Sequence, residues 1–188
     1  MIHADGDPRA THPATTSPSP TSAQRTPLRT PAAPTKLART RFVQLSAALT
    51  GFDEAELYGT GMVDVYLGTL TAIVGDGMVG RLLQRWADVA AASADAGDLD
   101  QRLRPLLADD TLGPLARNLA FVWYTGQWNQ LPAVWRDTNG ANALDQTFII
   151  SPEAYAQGLV WQAIGTHPQG AKMPGYGSWA LRPEGTTS

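Results

Sequence analysis

The stretch from Thr111 to Trp128, TLGPLARNLAFVWYTGQW, restricts the fold more than any other part of the chain. Leu112, Leu115, Ala116, Leu119, Val122 and Trp123 recur at the spacing of one helical face. Thr111 is placed to cap the helix, Asp109 and Asp110 suit the positive end of its dipole, and Gly126 supplies the positive φ that ends helices. Where that helix stops, Trp123, Tyr124 and Trp128 crowd around Gly126. A large aromatic surface beside a backbone that can be approached closely makes either a corner of the core or a docking surface.

The rest of the chain is expected to arrange itself on this helix. Phe42, Leu45, Leu49 and Phe52 give a helical face ending at Thr50-Gly51, and Asp53 is placed to cap the next segment. In that segment Met62, Val65, Tyr66, Leu70 and Ile73 keep helical spacing, with a break near Gly61. Val79, Leu82, Leu83, Trp86 and Ala90 mark a further helix, and Leu99, Leu103, Leu106 and Leu107 a shorter one. Periodicity is lost between Gln127 and Ile150, where Pro132 and Asn139-Gly140 suggest turns and Thr147–Ile150 a short strand. Ser151-Pro152-Glu153 reads as a helix start for Ala156, Leu159, Val160, Ala163 and Ile164, stopped by Gly165. The fold class that follows is mainly α: one irregular helical domain over residues 41–188, closing in an extended Gly/Pro/aromatic arm. Residues 1–40 hold half of the prolines among Thr, Ser and Ala and are expected to be a disordered tail. No apolar run of signal-peptide length precedes Phe42, so that tail is expected to be a linker or a start-site artefact rather than a normal signal peptide.

Charge and ligand chemistry narrow the function. The first forty residues are net basic, so the acidic excess behind the formal charge of −3 lies in the folded part, which argues against a nucleic-acid groove. There is no Cys, and two of the three His lie in the tail, so neither a thiolate nor a histidine metal site is expected. No apolar run is long enough to span a membrane. Gly75-Asp76-Gly77-Met78-Val79-Gly80 matches the glycine spacing of a dinucleotide turn, with Asp95 at the distance of a ribose-binding acid. The context lacks the second strand such a site needs, and two helices joined by a glycine turn is the expected arrangement. Asp109-Asp110 suits a helix dipole better than acid–base catalysis, and His167 has no second ligand or catalytic partner at a recognisable spacing.

The aromatics remain. Trp123 and Trp161 sit on or beside helical stripes and read as core, whereas Trp128, Trp135, Tyr176 and Trp179 occupy irregular Gly/Pro-rich sequence, where aromatics typically anchor interfaces. FVQLSAALTGF at 42–52, RPLLA at 104–108, WYTG at 123–126, YAQGLVWQAIG at 155–165 and PGYGSWA at 174–180 together resemble the small (gamma) subunit of membrane-bound FAD-dependent sugar and sugar-alcohol dehydrogenases, the glucose, sorbitol, fructose and gluconate dehydrogenase complexes. The resemblance implies a noncatalytic helical subunit that binds no cofactor itself. Its partner is the large FAD-carrying catalytic subunit, whose folding, flavin loading and export it assists, and electrons usually leave that complex through a multihaem cytochrome c subunit. The matching positions Trp123, Tyr124, Gly126, Tyr155, Trp161, Gly175, Tyr176 and Trp179, joined by Trp128 and Trp135, are then expected to face the partner. Three departures accompany the resemblance. No twin-arginine signal precedes the domain, although the family is exported to the periplasm. Lys172-Met173 stand where the family usually has a Cys, and Gly177-Ser178 separate Tyr176 from Trp179. A freestanding helical binding module, or a nucleotide-dependent oxidoreductase built on Gly75–Gly80, would be the alternatives.

Overall fold

The structure, a computed structural model, describes residues 35–140 and 142–169. Most of the expected tail, up to residue 34, and the expected arm with Gly175, Tyr176 and Trp179 lie outside the described residues. What is described is mainly α, with helices α1 (Lys36–Thr50), α2 (Glu54–Gly59), α3 (Val63–Val74), α4 (Asp76–Ala92), α5 (Ala96–Ala108), α6 (Gly113–Thr125), α7 (Ala133–Asn139), α8 (Pro152–Ala156) and α9 (Leu159–Ala163). A two-residue ribbon of β1 (Gln127–Trp128) and β2 (Phe148–Ile149) is antiparallel, pairing Gln127 with Ile149 and Trp128 with Phe148.

Local chemistry explains most boundaries. Helix α1 begins at Lys36, five residues before the expected Arg41, because the Thr35 side chain accepts from the Ala38 N–H and caps it. Gly51, at φ 77°, closes that helix in the left-handed conformation. Asp53 and Glu56 form a reciprocal capping box on α2, each side chain accepting from the other's backbone N–H. The amide donors ahead of α6 go to Asp109 rather than to the expected Thr111: its Oδ1 accepts from the N–H groups of Thr111 and Leu112.

Three expectations are corrected. Val65, assigned to the buried face of α3, is exposed, and Val63 and Leu67 are buried in its place. The stretch expected to be irregular contains α7, one side of which is held down by Trp135. The helix expected to run from Ser151 to Gly165 is two short ones, because Gly158 abuts α6: a Cβ there would lie 2.7 Å from the Tyr124 carbonyl oxygen.

The core runs through the centre of this arrangement. α1 packs against α2, α3, α4 and α6, α4 against α3 and α5, and α6 against α5 and α9. Phe42, Leu45, Tyr66, Leu70, Leu82, Trp86, Leu115, Leu119 and Trp123 belong to one continuous apolar cluster. Each large side chain removed from water contributes about 1.5–3 kcal/mol, so this cluster rather than helix propensity holds the glycine-interrupted α3 and the short α8 and α9 in place.

Candidate functional site

At the end of α6 three stretches far apart in sequence meet. Trp123 is wholly buried, and its indole N–H donates at 2.8 Å to the Ser46 hydroxyl of α1, which itself donates to the Phe42 carbonyl. Its ring lies edge-on to Tyr66 at 4.8 Å and tilted against Phe42 at 6.4 Å. Next to it the Tyr124 hydroxyl donates at 2.8 Å to the Thr50 carbonyl, and the Tyr124 ring meets Phe52 edge-on. α6 is thus fastened to α1 from Phe42 to Thr50.

Gly126 fits against the third stretch. It ends α6 at φ 69°, and a Cβ on it would lie 2.4 Å from both the carbonyl carbon and oxygen of Ala154. Only glycine permits both the dihedral and the approach. The Gly126 carbonyl also accepts from the Ile150 N–H, which starts the small ribbon. The WYTG and YAQG stretches therefore interlock through their two glycines, Gly126 against Ala154 and Gly158 against Tyr124.

The other sequence-predicted aromatics divide by burial. Trp128 and Trp135, expected on a partner surface, are buried instead, as is Trp123. The reason is polar as much as apolar: each indole has an acceptor waiting inside the fold. Trp128 donates at 2.9 Å to Asp145, and Trp135 at 2.7 Å to the Thr111 carbonyl. Asp145 is itself 1 % exposed and also accepts from the Leu131 N–H, so one carboxylate fastens β1 to the segment that follows it. Nothing in the sequence around Asp145 singled it out. Tyr155 and Trp161, by contrast, keep an exposed face. Their rings meet edge-on at 5.3 Å, and the Trp161 indole donates to the Tyr155 carbonyl. Trp161 lines a cavity of about 310 Å³ with Thr60, Leu159, Gln162, Thr166 and His167.

The surface near these residues is apolar in places sequence periodicity did not flag. Phe148 and Ile149 on β2, Phe121 on α6 and Val134 on α7 are all exposed. Phe121 forms one wall of a groove of about 250 Å³ with Pro114, Leu131 and Pro132. β-prone composition identified Thr147–Ile150 as a strand but said nothing of its facing solvent.

The glycine motif is not a nucleotide turn. Thr71–Val74 ahead of it is the last turn of α3, Gly75 joins two helices, and Asp95 caps α5 by accepting from the Asp98 N–H. Among the described residues no three His, Asp or Glu side chains gather as metal ligands do, and no helix is long and apolar enough to cross a membrane. Compared with family models, curated proteins and solved structures, the chain matches none.

Proposed function

We propose that this chain is the noncatalytic small subunit of an FAD-dependent sugar or alcohol dehydrogenase complex, which binds the large flavoprotein subunit and assists its folding, flavin loading or export. The observation that carries the reading is spatial. Residues 42–52, 123–126 and 155–161, which resemble that family as separate short stretches, lock onto one another through Ser46–Trp123, Thr50–Tyr124 and the two glycine contacts. Stretches that resemble a family and also build one junction are better grounds for a shared fold than stretches scattered over a surface.

The roles within the motifs change accordingly. Trp123, Tyr124, Gly126, Trp128 and Trp135 give the subunit its shape, and the partner meets the half-exposed Tyr155 and Trp161 and the exposed Phe148 and Ile149. The chemistry belongs to the flavoprotein, and electrons pass onward through a cytochrome c subunit. Co-expression with the neighbouring reading frames, capture through a tag after Ser188 and a visible spectrum of the eluate test the proposal. A flavin spectrum with a larger co-eluting chain is expected. A 20.1 kDa species alone, without flavin, would overturn it.

A further inference from the structure

Asn139-Gly140, expected as a turn, forms the last residue of α7 and its glycine cap. The chain has four asparagines, and Asn139 is the only one followed by glycine. That pairing has a chemistry of its own. The carbonyl carbon of an asparagine side chain is open to attack by the main-chain nitrogen of the next residue, and glycine puts no Cβ in the way. Asn118, Asn129 and Asn142 are each followed by a residue that does carry one, Leu119, Gln130 and Ala143. Around Gly140 the space is free, since a Cβ built on it would meet nothing within 4 Å.

Two hydrogen bonds hold the reacting groups apart. The Gly140 N–H donates to the Arg136 carbonyl at 2.9 Å, so the amide that would have to give up its proton is fixed in the helix ladder. The Asn139 side-chain amide donates to the Trp135 carbonyl at 3.0 Å, which turns Cγ back over the preceding turn and away from the Gly140 nitrogen. Both bonds belong to the end of a seven-residue helix, too short to stand by itself and anchored through the indole of Trp135 on the Thr111 carbonyl. Helix ends of this kind open more readily than the core they rest on.

We infer that Asn139 is a site of spontaneous deamidation that the last turn of α7 keeps closed. When that turn opens, hydroxide takes the Gly140 amide proton, the nitrogen forms a bond to Asn139 Cγ, and the Cγ–Nδ2 bond breaks as the leaving nitrogen takes a proton from water and departs as ammonia. Water then adds to either carbonyl of the five-membered imide and opens it to an aspartate or an isoaspartate at position 139. No oxidant, reductant or enzyme is required. The product does not refit the helix end: it sets a negative charge at the negative end of the α7 dipole and turns an acceptor towards the Trp135 carbonyl where a donor had been. Each opening that runs to completion is therefore recorded in the covalent structure. This site stands apart from the subunit reading and does not depend on it.

The test incubates the full chain in mildly alkaline buffer, folded and in urea, digests it at acidic pH and follows the replacement of NH2 by OH at position 139 by mass spectrometry, with isoaspartate separated chromatographically. Loss of the amide should be about tenfold slower, or more, in the folded chain, as two hydrogen bonds that must open first would produce. Thr138 is exposed, and Thr138→Pro takes a donor from the last turn without touching the core. With the rest of the domain shown to be folded by circular dichroism, this variant should lose the amide at close to the urea rate. Thr138→Gly, which only lowers helix propensity, takes its place if the proline unfolds the domain, and should raise the rate by a smaller factor. Equal rates in the folded and the urea-treated chain, no loss of the amide in urea, or a folded rate that substitution of Thr138 leaves unchanged would overturn the inference.

Discussion

At Gly126 one added carbon decides whether α6 can meet α8. A methyl group there would sit 2.4 Å from the backbone of Ala154, which cannot step aside as a side chain can, and the residue would be held at φ 69°. The dihedral alone costs about 1–2 kcal/mol for an L-residue, and the overpacking adds about 1–3 kcal/mol. Gly51 shares the left-handed conformation but has open space around it, so it isolates the first of these contributions. Gly51→Ala should lower the stability measured by urea denaturation by about 1 kcal/mol and Gly126→Ala by roughly 3 kcal/mol or more. Equal losses would show that the close approach carries no energy. Asp145 offers a second comparison. Asp145→Ala strands the buried donors of Trp128 and Leu131 and should cost about 2–5 kcal/mol. In a Trp128→Phe background one of those donors is already gone, so a double-mutant cycle should show a coupling of about 1 kcal/mol or more.

Individual elements show where sequence reading reaches its limit. α1, α4, α5 and α6 were legible because apolar periodicity runs through each of them, and in α1 and α6 a terminal glycine marks the end as well. Asp53, Ser151, Gly51 and Gly126 all do locally what their residue types suggest. The break at Gln157-Gly158 and the tethering of α7 were not legible, since one answers to the Tyr124 carbonyl and the other to the Thr111 carbonyl, neither of them a sequence neighbour. The same limit governed the aromatics: the motif stretches could be recognised, but whether an indole faces in or out depends on an acceptor such as Ser46 or Asp145 many residues away. α5 carries a prediction of its own. Asp98 accepts from the Arg102 side chain and the Ala94 N–H, which hold its carboxyl below the usual aspartate range. Its contribution is therefore present above the ordinary aspartate pKa of about 3.9 and lost as pH falls through the lower folded value. Amide exchange in the first turn of α5 should accelerate only below about pH 4 in the wild type, and at neutral pH already in Asp98→Asn. An unchanged exchange rate in the variant would remove Asp98 as a clasp on that turn.

For the domain as a whole, one continuous core predicts one transition. Unfolding followed by tryptophan fluorescence and by far-ultraviolet circular dichroism should coincide, because Trp86, Trp123, Trp128 and Trp135 report from the same cluster that orders the helices. Separated midpoints would mean that the β1–β2 excursion opens by itself. Alkali should find the same core. Burial pushes the Tyr66 hydroxyl well above its ordinary value, so the stability is intact below about pH 10, where the unfolded phenol titrates, and declines as pH rises towards the folded value. The decline should approach about 1.4 kcal/mol per pH unit for this one group, and Tyr66→Phe should remove that part of the slope. The phenol's contact with the Ala154 carbonyl is long, at 3.5 Å, so the variant should cost little at neutral pH. The interlocked glycines have a consequence for synthesis. Ala154 is translated about thirty residues after Trp123, an interval of roughly 2–6 s on a ribosome adding about 5–20 residues per second. Throughout that interval α1 and α6 exist without the backbone that closes against Gly126, and the nascent chain exposes the aromatic junction to whatever is nearby, including a partner or a chaperone.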